Sequence, residues 1–409
     1  MIKPILICAA AGFFCSYLQA DHKVDPAPVI QVKNEKFRMP AKPSRNYSGG
    51  YTLRQVQVFK PGRGLPAFGS VQPGSVKVRQ GSKDLIQGKD YLVDYQWGKI
   101  SPAPKSSIKS GTPLTVDYAY RLRRLDSLVK NNAGKEYIRK GKSHLNTPRP
   151  PVLAPGEKRI ANIFIDYDCD STNAEVYNIT ETAEQAETAT TRGSIPRTLA
   201  KIKSGKPVKI VCWGDSVTCG GDASSPAKRY TTQFETLLKK KFPKANITVK
   251  VVAAGGSNSK QWLFPEKYKY RGRSDICRWG KVAKEKPDLI TLEFVNDAWM
   301  NEPATFKQYN EIMKKIKAIN AEIIIITPHF TMKKMMGFKN YKEREKRTYV
   351  HALRKFARTN KLAVADASAR WEHLAKEGMP YIVYLKNSIN HPDDDGHLLF
   401  AEELIKNFD

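Results

Sequence analysis

Two rhythms of apolar and polar residues divide this chain near residue 195. Between residues 51 and 120 the period is two. Leu53, Val56 and Val58 predict one strand, and Val76-Lys77-Val78 another. Residues 90–95 and 114–118 alternate polar and apolar side chains, as strands with one buried face do. Turn pairs separate them: Pro61-Gly62, Pro73-Gly74, Gly81-Ser82, Trp97-Gly98 and Ser110-Gly111. Short strands at this spacing predict a small β-sandwich.

Beyond residue 195 strands alternate with helical stripes. Apolar runs at 208–212, 247–252, 288–294, 322–326 and 362–365 predict five strands. The run Ile323-Ile324-Ile325-Ile326 is continuous, as in a strand covered on both faces. Tyr230, Phe234, Leu237, Leu238 and Phe242 share one helical face; so do Phe306, Tyr309, Met313 and Ile316. A last helix is expected around 398–405. This alternation predicts an α/β fold, a three-layer α/β/α sandwich on a parallel sheet, preceded by the β-sandwich domain.

The segments between these units complete the division. Residues 21–50 are rich in Pro and Lys with little periodicity and read as a flexible lead. The β-sandwich domain is assigned to 51–155, a connecting segment to 156–194 and the α/β domain to 195–409. Pro148-Arg149-Pro150-Pro151 and Pro155-Gly156 mark the linker. Residues 161–165 read as a further strand returning to the first domain, and 181–191 as a surface loop or short helix. Residues 1–20, with a basic start and an apolar stretch ending at Leu18-Gln19-Ala20, read as a cleaved signal peptide. The expected location is therefore secreted or periplasmic, with no membrane insertion.

Charge and cysteines refine this picture. The formal net charge of +29 calls for an anionic partner or envelope, and export excludes nucleic acid from that role. The Lys/Arg-rich stretch 341–361 reads as one solvated helix face. Removing the signal takes away Cys8 and Cys15, leaving Cys169, Cys212, Cys219 and Cys277. Cys212 and Cys219 flank Ser216, so a disulfide stapling that loop and a buried free thiol are both open. The cysteine spacing predicts no metal, and no cofactor is expected.

The chemistry gathers at strand ends. Gly214-Asp215-Ser216 closes the strand at 208–212 and delivers a hydroxyl where open α/β sheets place their sites. Three further loops follow the sheet: 253–259 with Gly255-Gly256-Ser257-Asn258-Ser259, then Val295-Asn296-Asp297, and Asn390-His391-Pro392 before the last helix. A serine needs a base to become a nucleophile, and histidine titrates in the right range. Backbone N–H groups and an asparagine amide can hold an oxyanion, each donor contributing roughly 2.7–4 kcal/mol.

These four blocks resemble the SGNH/GDSL hydrolases. Gly214-Asp215-Ser216-Val217-Thr218 is similar to the first block, with Ser216 in the nucleophile position. The resemblance implies His391 as base and Gly256 and Asn296 as oxyanion donors. It covers about 195–409. Three departures stand out. Phe294 replaces a glycine, the second block aligns Gly256 only with a two-residue deletion, and Ser388 stands where the family has its acid. The expectation is thus a Ser216–His391 dyad, with a backbone carbonyl near 387–388 orienting the imidazole. Asp366 and Asp393 are unassigned carboxylates. His329 is open to a cleft-lining or a packed role, and His397 is expected to pack on the last helix. Trp262 and Trp299 are open to a sugar platform or aromatic core.

The reading that results is an exported serine esterase removing O-acetyl groups, with an acetylated polysaccharide as its substrate and partner. A lipid or thioester hydrolase of the same superfamily is one alternative. A non-catalytic glycan-binding protein with a degenerate hydrolase domain is the other.

Overall fold

The computed structural model describes residues 24–58, 66–170, 172–188, 190 and 194–409. The expected signal peptide, Cys8, Cys15 and the Pro61-Gly62 turn lie outside them. Among the described residues no helix is long and apolar enough to cross a membrane.

The N-terminal part is built of antiparallel sheets. In the first, strand Val29–Arg38 pairs with Pro113–Arg121, followed by Lys77–Gln80 and Lys83–Asp84. A second, of three strands, joins Tyr51–Thr52, Lys99–Pro102 and Tyr91–Asp94. A third runs Glu175–Asn178, Lys158–Ile165, Arg124–Lys130 and Glu136–Arg139. The first two sheets share a core that includes Val56, Val78, Ile100, Val116 and Tyr118, whereas Leu125, Phe164 and Tyr177 of the third pack with Phe330 and Trp371 of the C-terminal domain.

Two expectations change here and one is met. The lead is not free: Val29–Arg38 is a ten-residue strand. It lies at a sheet edge; its Lys side chains are exposed, and Glu35 turns inward to accept from Tyr51 and Tyr118, so polar residues fall on both faces and blur the alternation. Leu53 and Val56 belong to a short 3₁₀ turn rather than a strand. Their spacing of three brings both onto one side of such a turn, and both are fully buried. The connecting segment contributes Lys158–Ile165, including the expected 161–165, to the β part.

The C-terminal domain has a five-stranded parallel sheet in the order Ile247–Ala253, Val208–Gly214, Leu289–Glu293, Glu322–Ile326, Ala363–Ala365. All five expected strands are present. Alternate side chains feed opposite faces. Val211, Trp213, Ile290 and Leu292 pack under helices Glu302–Ala318 and Thr348–Thr359. Ile210, Leu289 and Ile324 pack under Tyr230–Lys241 and Asp394–Ile405. The basic stretch 341–361 is only partly a solvated helix face. Glu345 and Arg347 form a buried ion pair at 2.5 Å before the helix starts at Thr348.

The two parts meet around the loop 385–393. Arg123 Nη1 donates to Ser388 Oγ (3.0 Å), and the Asn146 amide donates to the Lys386 carbonyl. Arg149 pairs with Asp393 (2.5 Å) and Asp395 (2.8 Å). Asn162 Nδ2 donates to the Gly378 carbonyl at 2.7 Å.

Candidate active site

Ser216 sits just past the carboxyl end of the strand Val208–Gly214, which has parallel neighbours on both sides. The turn that presents it requires glycine at 214. A Cβ there would lie 2.1 Å from Thr218 Oγ1 and 2.3 Å from the Glu293 carbonyl oxygen. Asp215 is buried beneath the turn. It accepts from Val217 N (3.1 Å), Asn296 N (3.1 Å) and Asn296 Nδ2 (2.9 Å). Burial pushes its carboxyl up to about 6.

His391 meets the serine across the sheet edge, with Nε2 2.9 Å from Ser216 Oγ. Its backbone is fixed by Asn387, whose Oδ1 accepts from the N–H groups of Ile389 (2.9 Å), Asn390 (2.9 Å) and His391 (3.1 Å). The segment 387–388 thus holds the loop and does not orient the ring. Ser388, at a left-handed φ of 57°, accepts from Arg123.

The ring's other nitrogen faces a carboxylate. Nδ1 of His391 lies 2.9 Å from Asp222 Oδ2, and both side chains are largely buried. The pair is in ion contact, although its atoms are out of line for a strong hydrogen bond. Burial lowers the imidazole pKa, but the Asp222 carboxylate outweighs it and leaves the net shift upward. Asp222 therefore stands where a backbone carbonyl was expected, and the constellation is Ser216–His391–Asp222. Asp222 has a strained φ of 69°, a value Asp tolerates better than most residues.

The surroundings hold that strained loop. His397 Nε2 donates to the Gly221 carbonyl (3.0 Å), and burial pushes its pKa down to about 4. Ser224 N and Oγ donate to Asp394, at 2.8 and 2.5 Å. Gly221 lets the imidazole approach, since a Cβ there would stand 3.2 Å from two of its ring atoms. His329 does not line the cleft. It is buried, and its Nε2 donates to the Asn390 carbonyl at 2.8 Å, so both histidines support the loops rather than the reaction.

The expected oxyanion residues come to the same edge. Gly256, exposed at a φ of 80°, belongs to a turn that lies against Ser216. A Cβ at the neighbouring Gly255 would be 3.8 Å from Ser216 Cβ. Asn296 is placed beside Ser216's loop, but its Nδ2 already serves Asp215 and the Ser257 carbonyl (3.1 Å). In this conformation it braces Asp215. Phe294 packs edge-on against Trp213 with ring centres 5.6 Å apart.

Below these loops lie two more buried acids. Glu293 lies beside Thr218 and Asp215, and burial raises its carboxyl well above the ordinary carboxylate range. Asp297 accepts from Ser259 N (3.2 Å), and burial pushes it up to about 7. Asp366 pairs with Arg354 at 2.8 Å, and Asp393 caps the last helix, so both are structural. Trp262 is core and donates to Ser257 Oγ, whereas Trp299 is exposed with Lys260 Nζ 4.1 Å from its ring centre. The four remaining cysteines are free thiols. Among the described residues no cluster of His, Cys, Asp or Glu has the arrangement to hold a metal ion.

Asp222 is the residue that motif reading missed. The available signal was Gly220-Gly221-Asp222, an acid in a glycine turn six residues after the serine. Searching for the acid only in the few residues before His391 passes it by.

Residues 212–399 match the model of the GDSL-like Lipase/Acylhydrolase family. No curated protein matches. Among solved structures, a two-domain esterase active on acetylated mannans is similar at 18% identity and a TM-score of 0.42, over 54% of this chain and 53% of that one. The chain thus spans about half the length of that structure. The acetylxylan esterase Axe2 from Geobacillus stearothermophilus is similar at 19% identity and a TM-score of 0.39, over 50% of this chain and 95% of that one. A putative GDSL-like lipase from Parabacteroides merdae is similar at 17% identity and a TM-score of 0.38, over 50% and 96%.

Proposed function

We infer, from the premise that the C-terminal domain belongs to the GDSL-like lipase/acylhydrolase family, that this carboxylic ester hydrolase works through Ser216, His391 and Asp222. The observation that carries the reading is the hydrogen-bonded line from Ser216 Oγ to His391 Nε2, with Asp222 at Nδ1. His391 takes the hydroxyl proton as Ser216 attacks the ester carbonyl, and Asp222 stabilises the imidazolium that forms. The tetrahedral oxyanion is held by backbone N–H groups at Ser216 and Gly256. The protonated His391 then gives its proton to the departing alcohol, and water hydrolyses the acyl-Ser216 ester by the same route in reverse.

The preferred substrate in this reading is an O-acetyl ester on a polysaccharide. Support comes from the β part joined to the site and from the exposed aromatic side chain of Tyr47 beside Asn390. Export through residues 1–20 belongs to the same proposal. The test is acetate release from acetylated xylan by the parent and by Ser216→Ala. Release by the parent should fall to background in the variant; equal release by both contradicts the assignment.

A further inference from the structure

Besides Arg123, Asn146 and Arg149, the β part reaches the loop of His391 at a further point, beside Asn390. Its segment 42–50 folds into a tight excursion with Tyr47 at the tip. Arg45 and Ser48 exchange backbone hydrogen bonds of 2.8 and 2.7 Å, and Gly50 N donates to the Lys42 carbonyl at 3.0 Å. Lys99 Nζ donates to the Asn46 carbonyl at 2.6 Å. Gly49, at a φ of 64°, lies so close to Pro43 that a Cβ would meet its carbonyl oxygen at 2.0 Å. The loop is therefore fixed rather than loose.

The Tyr47 ring packs edge-on against Trp97 with ring centres 4.7 Å apart, and Trp97 packs edge-on against Phe68 at 5.4 Å. One side of the Tyr47 ring is supported in this way, yet the residue remains 54% exposed. Its Oη lies 3.5 Å from Asn390 Oδ1, the residue before His391. This contact places the ring on the His391 side of the site; burial, then the Asp222 carboxylate, raises its phenol pKa.

That side has a defined use. His391 protonates the departing alcohol, so the alcohol must lie next to His391, away from the oxyanion donors. We propose that Tyr47 is the platform for the leaving-group sugar, a subsite that the β part lends to the hydrolase domain. A pyranose offers an apolar C–H face and a rim of hydroxyls. Tyr47 offers a rigid ring for the face and a phenol for the rim, at the cost of few rotatable bonds. This rests on the glycan-esterase reading given above.

The test compares kcat/KM on acetylated xylo- and manno-oligosaccharides with kcat/KM on 4-nitrophenyl acetate for the parent, Tyr47→Ala and Tyr47→Trp. For Tyr47→Ala the ratio of oligosaccharide to small-ester activity should fall about tenfold, mainly through KM. Tyr47→Trp should keep most of the ratio, since it restores a ring. An unchanged ratio in Tyr47→Ala overturns the subsite, as does a parent that prefers no acetylated sugar over the small ester. Ser216→Ala separates the two claims: if it still cleaves both substrates at the parent rate, the esterase reading itself fails.

Discussion

Asp222 sets both the pH response and the rate of the proposed reaction. His391 must be neutral to accept the Ser216 proton, and Asp222 raises its pKa above the ordinary 6.5. Activity should therefore fall as pH drops through a value above 6.5, while the histidine becomes charged. Asp222→Asn removes the carboxylate, so kcat should drop by up to about 10⁴ and the acid limb should move to lower pH. A pH profile of kcat/KM for both proteins checks this; an unmoved limb contradicts it. Asp297 gives a prediction on stability. Burial raises its carboxyl from 3.8 to about 7, so the folded protein keeps a proton that the unfolded chain releases between those values. Stability should then decline as pH rises across that interval. Asp297→Asn removes the ionisation, so its gain over the parent should grow from about pH 4 to 7 and then level off. Urea unfolding at a series of pH values reads it, and a gain independent of pH contradicts it. At this scale Ser216 and His391 were legible because their blocks follow strand ends in the right order. Asp222 was not, since its identity as the acid depends on a backbone twist at 220–222 that no spacing rule encodes. Asn296 was legible as a loop residue, but its bond to Asp215 was not.

Among the elements, the loop 385–393 carries His391 and is held from two sides. His329 supports it from within the α/β domain, and Arg123, Asn146 and Arg149 support it from the β part. Arg123 is buried, pairs with Asp166 at 2.7 Å and lies 4.2 Å from the Tyr167 ring centre. Arg123→Ala leaves Asp166 without its cation and should destabilise the protein by about 3–5 kcal/mol. The paired change Arg123→Met with Asp166→Leu should cost clearly less. Denaturant unfolding of both variants decides it, and equal costs contradict the pairing argument. The five parallel strands were readable because buried strands carry continuous apolar runs. The edge strand Val29–Arg38 was not, because a polar Glu35 sits on its inward face among Ile30, Val32 and Phe37, and a register shift between Val32 and Glu35 breaks the period.

At the level of the whole molecule, the two parts act as one unit rather than as an enzyme with a detached module. The division near residue 195 was visible as a change of period, from two to alternating strand and helix. The joint was not, because Arg123 and Ser388, or Tyr47 and Asn390, are far apart in sequence and meet only through the fold. The charge of +29 is likewise visible in the composition, but part of the charged stretch at 341–361 is spent internally on Glu345 and Arg347. The central claim is that this molecule hydrolyses esters by way of an acyl group on Ser216. It is tested most directly by acid-quenching the parent protein during turnover of an acetyl ester and mapping the product peptides by mass spectrometry. One acetyl group is expected on the peptide carrying Ser216, at Ser216 itself, and none in Ser216→Ala. An acetyl group on another residue that forms and decays with turnover, or turnover that persists in Ser216→Ala, contradicts it.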